Sequence, residues 1–478
     1  MTHSTVSVAT TLWTDAAGPF RHHISLMHGW LPWTIQAVTA TVLALAIGWR
    51  SRRWRMFWLP SAVMVGVVVA TCARWYIDSA GLAADPAPRA LWIWIGLSGL
   101  AVCVLPFGWP TSRWWRRGVS MLAVPLCVLS SLLALNLWVG YFPTVQTAWN
   151  QLSAGPLPDQ TDRATVTAMQ MQGALPGKGT VVGVTIPDAA SHFKHRGELV
   201  YLPPAWYATD PPPKLPTVMM IGGEFNTPAD WLRAGTAITT MDDFAAAHHG
   251  NAPVLVFVDS GGAFNNDTEC VNGPRGNAAD HLTKDVMSFM VSSFGLSANR
   301  ANWGVVGWSM GGTCAVDLAV MHPDLFASFE DIAGDFGPNS GTKAQTIARL
   351  FGGDAAAYAA FDPSTVMAKH GHYTGVSGWF AISVGPQSHN VGRNPGNQTL
   401  AANALCAAGR AHGIDCAVEP LPGKHDWPFA ARAFAAALPW LAGQIGTPGV
   451  PAIPLPNPDN ASPTAPTGDG PRAQAAGP

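Results

Sequence analysis

Four long apolar stretches near the start of the chain restrict its folding more than any other feature. They cover residues 31–49, 56–73, 90–109 and 119–139, and none of them contains a charged residue. Each is close to the ~17 to 25 residues that an α-helix needs to cross the hydrocarbon core of a bilayer. Four such runs are difficult to bury in a soluble core, and charged residues make up only 12% of the whole chain. We therefore predict an all-α transmembrane domain of four spans over residues 31–140.

The connectors between the spans predict the orientation of this bundle. The connectors after the first and third spans are strongly basic, with Arg50, Arg52, Arg53, Arg55, Arg113, Arg116 and Arg117. In the connector after the second span, two arginines are balanced by two aspartates: Arg74, Arg89, Asp78 and Asp85. Because basic loops tend to stay in the cytoplasm, we expect both termini and everything after Tyr141 to lie on the extracytoplasmic side of a cell membrane. The first span ends in arginines, which is not typical of a cleaved signal peptide.

The part of the chain after the spans carries more acidic than basic residues, which argues against nucleic acid as a ligand. Residues 150–446 contain 16 Lys and Arg against 24 Asp and Glu, a net charge of −8. Nucleic-acid binding depends on neutralising phosphates, so we expect no nucleic-acid partner. No cysteine or histidine spacing resembles a zinc site, and we expect neither a metal nor an organic cofactor. Four cysteines lie in this part, and a Cys406–Cys416 bridge is one of the pairings that they allow.

Residues 180–446 are predicted to form one α/β domain. Residues 1–30 are an N-terminal segment, residues 141–179 read as a linker, and residues 447–478 are rich in proline and expected to be disordered. Short apolar runs predict strands at 181–186, 198–202, 217–221, 253–258, 303–307, 327–332, 379–384 and 414–419. Helix-like stretches such as residues 280–294, 311–321 and 400–412 separate several of them. This alternation predicts a mainly parallel sheet with helices on both faces.

The stretch GWSMG at residues 307–311 fits the G-x-S-x-G pattern of a nucleophile elbow. The pattern is informative only where a strand precedes it and a helix follows it, and both are predicted here. Such a turn would expose Ser309 as a nucleophile and aim the backbone N–H of Met310 at a developing oxyanion. A second oxyanion donor is expected from Gly223 or Glu224 in the loop IGGEF, although an ordinary glycine turn would look similar. His425, in a loop after the last predicted strand, is the candidate general base.

At these residues the chain resembles the esterase family of α/β-hydrolases, which includes esterase D, feruloyl esterases and the antigen 85 mycolyltransferases. The resemblance runs from about residue 180 to 444 and is carried by VTIPDAA, GELVYLPPAWY, IGGEF, VDSGGAFNND, GWSMGGTCAVDLAVMHPDLFASF and GKHDW. It implies an α/β-hydrolase fold with Ser309 as nucleophile, His425 as base and Met310 N–H as one oxyanion donor. It does not imply a particular substrate, because the family acts on thioesters, sugar esters and lipid esters.

The third member of the triad departs from the family pattern. The family usually takes its carboxylate from the loop after the strand predicted at residues 379–384, but residues 363–414 contain no Asp or Glu. A histidine base needs a partner that fixes its tautomer, so another loop must supply one or the enzyme works as a dyad. Asp335 lies just past the preceding strand and is the favoured candidate. Asp331, Asp362 and Glu330 are its rivals.

The membrane anchor and the acidic domain together indicate a substrate class. Anchoring raises the local concentration of esters in the adjacent leaflet, so a membrane lipid is the expected substrate. Aminoacyl-phosphatidylglycerol is our first choice because its ammonium group suits an acidic site, with Asp267, Glu269 and Trp308 as candidate substrate contacts. Mycolyl or other cell-wall acyl transfer is the alternative enzymatic function. The non-enzymatic alternative is a membrane scaffold with a catalytically inactive hydrolase fold.

Overall fold

The computed structural model describes residues 24–80, 87–152, 157, 160–173, 175–384 and 398–456. Most of the predicted N-terminal segment, and the proline-rich tail from residue 457 onward, lie outside these described residues.

The N-terminal part is a bundle of four long apolar helices: α1 (Trp30–Ile47), α2 (Leu59–Ala80), α3 (Arg89–Gly108) and α4 (Trp114–Val139). All four are long and apolar enough to cross a membrane, which agrees with the predicted spans. In the bundle α2 packs on α3, α3 on α4, and α4 on α1. Gly66 and Gly96 allow the close approach of α2 and α3, because a Cβ on Gly66 would collide with the carbonyl oxygen of Gly96. Small residues are the usual means of close helix packing in membranes.

The predicted linker contains regular structure. It forms the helices α5 (Val145–Leu152) and α6 (Arg163–Gln172), with the short strand β1 (Gln160–Thr161) between them. Asp162 caps α6 by accepting a hydrogen bond from the N–H of Thr165. The strand β1 pairs with the first strand of the hydrolase sheet and so becomes the edge of that sheet.

The C-terminal part is built on a nine-stranded sheet with the order β1-β2-β3-β5-β4-β8-β9-β10-β11. Its further strands are β2 (Thr180–Val184), β3 (Glu198–Leu202), β4 (Thr217–Ile221), β5 (Val254–Val258), β8 (Trp303–Trp308), β9 (Ser328–Ile332), β10 (Ser377–Val384) and β11 (Asp415–Pro422). A separate small hairpin consists of β6 (Asn272–Gly273) and β7 (Gly276–Asn277). All pairings in the large sheet are parallel except β2–β3 and β3–β5. The predicted mainly parallel sheet is confirmed.

Helices cover both faces of this sheet. The helices of the C-terminal part are α7 (Asp230–Arg233), α8 (Ala237–Ala247), α9 (Ala278–Asp280), α10 (Met287–Phe294), α11 (Met310–Met321), α12 (Lys343–Phe351), α13 (Ala355–Phe361), α14 (Pro363–His370), α15 (Gln398–Ala411) and α16 (Trp427–Gln444), of which α12 and α13 pack in a separate cluster. One buried cluster joins β4, α11 and α15 through Met219, Val316 and Leu405. A second cluster joins the opposite face of β4 to α8 and α16 through Met220 and Phe434. Residues of β4, β5, β8 and β9 are buried throughout, as expected for strands covered on both sides.

The hydrolase domain contacts one end of the helix bundle. Gly140, which ends α4 in a left-handed conformation, lies against the loop before α16, because a Cβ placed on it would be 2.9 Å from the Cβ of Asp426. The Tyr141 hydroxyl donates a 2.6 Å hydrogen bond to Asp230 at the start of α7. At the neighbouring end of α2, Asn265 donates to the Tyr76 hydroxyl at 3.3 Å.

Candidate active site

Ser309 stands in a sharp turn between β8 and α11. Its φ of 58° and ψ of −119° are unusual for a residue with a side chain and are typical of a strained nucleophile elbow. The turn can be this tight only because its neighbours are glycines: a Cβ on Gly307 would collide with the carbonyl of Gly311, and a Cβ on Gly311 would collide with the carbonyl of Ile221. The N–H of Ser309 donates to the carbonyl of Ile332 at 2.9 Å, which ties the turn to β9.

His425 lies next to this serine. Its Nε2 atom is 2.9 Å from Ser309 Oγ, so the predicted nucleophile and base are within hydrogen-bonding distance. The position of His425 is fixed because the next residue, Asp426, caps α16 by accepting from the N–H of Phe429. His425 is half-buried as a residue, and burial of its imidazole lowers its pKa to about 4. A neutral imidazole at physiological pH is the form that a general base requires.

Trp308 supports the imidazole and does not open onto solvent. Its ring lies 4.2 Å from the ring of His425 and also packs near Trp427 and Phe429. Only 4% of its surface is exposed. The ring therefore packs against the imidazole, and the role of Trp308 as a substrate contact stays a prediction.

The structure does not place Asp335 against His425. The group at Nδ1 of His425 is the side-chain amide of Gln398, whose Nε2 atom is 2.7 Å away. Asp335 instead accepts a 3.0 Å hydrogen bond from Asn339, and burial raises its pKa to about 6. Gln398 begins α15, just after the acid-free loop of residues 385–397, which lies outside the described residues. No motif distinguishes Gln398 in the sequence, because the usual partner of a histidine base is a carboxylate.

The rival carboxylates have other partners or none. Asp331 accepts from the N–H of Gly334 at 2.7 Å, and burial raises its pKa to about 7. Asp362 caps α14 by accepting from the N–H of Thr365 at 2.9 Å. Glu330 is fully buried in β9, and neither of its carboxylate oxygens has a hydrogen-bond partner among the described residues. None of the three forms a hydrogen bond with His425 in the described part of the chain.

The loop after β4 passes directly beside Ser309. A Cβ on Gly223 would lie 3.2 Å from the Cβ of Ser309, so only glycine fits here without displacement. The N–H of Gly223, one of the predicted oxyanion donors, donates a hydrogen bond to Asn226 Oδ1 at 2.8 Å. In this conformation the N–H is therefore engaged with Asn226. Arg196 holds the same turn from outside, donating to the carbonyl of Asn226 at 2.8 Å while it pairs with Asp259. Glu224 is the next residue of the turn, and Met310 provides the first amide of α11, which has no acceptor within its own helix.

A buried group of carboxyls lies on the neighbouring loop. Asp267 and Glu269 are both buried, and Glu269 Oε2 has no hydrogen-bond partner among the described residues. Burial raises the pKa of Asp267 to about 6 and raises that of Glu269 well above its usual range. Repulsion from Asp267, Asp335 and Glu224 adds to the shift of Glu269. Arg275 partly offsets the effect of burial at Asp267, because its Nη1 lies 3.9 Å from Asp267 Oδ2 and its charge favours the ionised carboxylate.

A disulfide that the sequence did not indicate joins this loop to the elbow helix. Cys270 is bonded to Cys314, which lies one helical turn beyond Met310 in α11. The second disulfide is the Cys406–Cys416 pair considered from the sequence. Sequence spacing could not distinguish among the pairings of these four cysteines.

Exposed apolar side chains surround the carboxyl edge of the sheet, where the site opens. They come from the loop after β5, the loop after β9, the end of β10 and the start of α15: Phe264, Phe336, Val384 and Leu400. Phe264 is 67% exposed and packs on Phe225, which follows Glu224 in the loop beside Ser309. The rim is therefore suited to an apolar substrate or to a bilayer surface.

One further group of side chains has the composition of a metal site. Atoms of His195, Glu198 and His281 lie within 4.8 Å of one another. However, His281 already bonds Glu198 at 2.8 Å, and the two imidazole rings stack with centroids 4.2 Å apart and planes 23° apart. Rings stacked in this way cannot both direct in-plane lone pairs at one ion, so the arrangement is better described as a buried hydrogen-bonded cluster.

Comparisons with known proteins show which family the C-terminal part of the chain resembles. The family model described as "Putative esterase" matches residues 194–441, just over half of the chain. An uncharacterized protein of Corynebacterium glutamicum is 26% identical over 422 residues, which cover 86% of this chain and 95% of that protein. The MPT51 antigen of Mycobacterium leprae is 28% identical over 137 residues, covering 26% of this chain and 42% of that protein. Among solved structures, the S-formylglutathione hydrolase of Agrobacterium tumefaciens is 17% identical, with a TM-score of 0.45 over 57% of this chain and 98% of that one.

The elbow and the family match together decide the class of protein. The match includes both Ser309 and His425, and it covers every strand of the large sheet except β1 and β2. The chain is a serine ester hydrolase and belongs to the esterase family of α/β-hydrolases.

Proposed function

We propose that this protein hydrolyses the ester bond of an aminoacyl-phosphatidylglycerol at the membrane surface, with Ser309 as nucleophile and His425 as general base. The observation that carries the proposal is the position of the Ser309–His425 pair: the loop that bears His425 packs against Gly140 at the end of α4. The reacting hydroxyl is thereby held close to the end of a membrane-spanning helix, where lipid head groups lie.

The chemical steps follow from the geometry. His425 Nε2 accepts the proton of Ser309 Oγ as that oxygen attacks the ester carbonyl, and Met310 N–H stabilises the oxyanion together with an amide of the loop at Glu224. Collapse breaks the bond to the alcohol, which takes the proton from His425 and leaves as phosphatidylglycerol. Water then attacks the aminoacyl-serine by the same route and releases the free amino acid. Gln398 orients the imidazole in place of the usual carboxylate.

Two features favour an aminoacyl lipid over other lipid esters. An α-ammonium group beside the buried carboxyls Asp267 and Glu269 favours their ionised form, and the unpartnered Oε2 of Glu269 offers an acceptor. The exposed apolar rim that includes Phe264 suits contact with acyl chains or with the bilayer.

We also infer that the catalytic domain lies on the extracytoplasmic side. The seven arginines of the first and third connectors support this orientation through the positive-inside rule. The two disulfides of the hydrolase domain support it independently, because disulfides persist mainly outside the cytoplasm.

The test uses the full-length protein in phosphatidylcholine vesicles that contain alanyl-phosphatidylglycerol. We expect release of free alanine, and we expect Ser309→Ala to reduce the rate at least about 10³-fold, as removal of a triad nucleophile does elsewhere. Ser292→Ala, an exposed serine on α10, is the matched control and should leave the rate unchanged. Labelling with a fluorophosphonate should follow the same pattern.

Two results would count against the proposal in different ways. Labelling of Ser309 without alanine release, combined with consumption of mycolyl or fatty acyl esters, would favour the cell-wall acyltransferase. Equal labelling of the wild-type protein and Ser309→Ala would show that Ser309 is not the nucleophile.

A further inference from the structure

A groove between α2 and α3 runs along the surface of the helix bundle. Its volume is about 550 Å³, and its apolar walls include Val67, Ile93 and Leu97. Val67 and Ile93 are about half exposed at the surface of the bundle, so they face lipid if the helices span a membrane. Gly66 and Gly96 form the floor, where the absence of side chains leaves room between the helices.

Two arginines line the same groove at one end. Arg89 begins α3, and Arg74 lies in the last two turns of α2. Arg74 pairs with Asp78 at 3.5 Å, but both side chains are about two-thirds exposed, and exposed pairs of this kind contribute little. Within the described part of the chain, Arg89 forms no ion pair. An apolar channel below two guanidinium groups is complementary to a phospholipid, with acyl chains in the channel and phosphate at the arginines.

This end of the groove lies beside the hydrolase domain. Tyr76, two residues beyond Arg74, accepts a hydrogen bond from Asn265, and Arg349 donates to the carbonyl of Asp78 at 2.9 Å. Phe264, the neighbour of Asn265, packs on Phe225 of the loop that passes Ser309. The end of α2 that carries Arg74 is therefore tied to the loop of residues 261–267, which in turn packs on the loop beside Ser309.

We propose that the α2–α3 groove binds an anionic glycerophospholipid of the surrounding leaflet, with an acyl chain between the helices and its phosphate on Arg74 and Arg89. The bound lipid presents its head group to the loop of residues 261–267. The inference rests on the proposed function insofar as this lipid is the substrate. Binding itself does not depend on that function.

The kinetic test compares two esters in the same full-length protein. Arg74→Gln/Arg89→Gln should raise the KM for alanyl-phosphatidylglycerol at least about tenfold, because two charge-assisted hydrogen bonds to phosphate are lost. The KM for an alanyl-diacylglycerol with the same chains and no phosphate should not change. Ala70→Phe, which fills the groove, should raise the KM for both lipids. Hydrolysis of a soluble fluorogenic ester reports that each variant is folded and should stay at the wild-type rate.

A binding measurement keeps the inference testable without catalysis. Phosphatidylglycerol with a photoreactive acyl chain should crosslink to the segment of residues 63–97 in phosphatidylcholine nanodiscs, and Arg74→Gln/Arg89→Gln should reduce this yield severalfold. Arg113→Gln, at the opposite end of the bundle, is the matched control.

The outcomes separate the two proposals. Normal crosslinking with no alanine release would overturn the proposed substrate and leave the groove site standing. The groove site alone would be overturned if alanine is released while Arg74→Gln/Arg89→Gln leaves both the KM and the crosslinking yield unchanged. It would also be overturned if Arg113→Gln reduced the crosslinking yield as much as the double variant does.

Discussion

Among the individual side chains of this site, the unusual feature is the amide of Gln398 behind the candidate base, His425. A general base needs a proton on Nδ1 and a free lone pair on Nε2. Rotation of the Gln398 amide by 180° places Oε1 at the position of Nε2, 2.7 Å from Nδ1, where it accepts a hydrogen bond from Nδ1–H. A neutral amide fixes the tautomer, as in cysteine proteases that use asparagine, but supplies no charge to stabilise the imidazolium. The pKa of His425, lowered by burial to about 4, is consistent with this lack of charge.

Gln398→Glu should therefore change the pH dependence of the enzyme. The rate requires neutral His425, so kcat/KM for a soluble fluorogenic ester should fall on the acid side with a midpoint near pH 4 in the wild type. A carboxylate at Nδ1 favours the imidazolium and raises the pKa of His425. The acid limb should therefore move upward by about 1 to 3 pH units, measured in a pH–rate profile.

Gln444→Glu makes the same chemical change at an exposed position near the end of α16 and should leave the profile in place. If Gln398→Glu kept the wild-type acid limb, Gln398 would not be the partner of His425.

At the scale of elements, the site depends on how two loops are held against α11. The elbow glycines let β8, α11 and the end of β4 approach closely, and the sequence pattern around Ser309 was sufficient to predict this turn. The loop with Asp267 and Glu269 is held by the Cys270–Cys314 bond. The pattern could not predict that bond, because the partners are brought together by tertiary structure and not by spacing.

The two disulfides should contribute unequally to stability. They close loops with sequence separations of 44 and 10 residues, for which chain entropy predicts about 4 and about 3 kcal/mol. Cys270→Ala/Cys314→Ala should lower the Tm of the protein in nanodiscs more than Cys406→Ala/Cys416→Ala does. It should also reduce activity, since the acidic loop and α11 are no longer tied together.

Cys406→Ala/Cys416→Ala is the control, because it removes a disulfide that is not attached to the elbow helix. A larger loss of Tm and activity in Cys406→Ala/Cys416→Ala would show that the bond next to the elbow does not organise the site.

At the scale of the whole molecule, the sequence predicted the broad architecture well and the contacts between its parts poorly. The four spans and most strands follow from long apolar runs, whose burial leaves little choice of structure. Gln398 and the strand β1 were missed because their roles depend on neighbours far along the chain. For the same reason, no pattern indicated that Gly140 packs against the loop of His425 or that Asn265 reaches Tyr76.

The Ser309 site and the arginine end of the groove lie at the same end of the helix bundle. The orientation of the bundle therefore decides which leaflet of the membrane both of them face. If the hydrolase domain is extracytoplasmic, a membrane-impermeant fluorophosphonate should label the protein in intact spheroplasts to the same extent as after lysis. Ser309→Ala should abolish the labelling in both samples, while a cytoplasmic serine hydrolase in the same cells should react only after lysis. Labelling that appears only after lysis would reverse the orientation, and both lipid proposals would then apply to the inner leaflet.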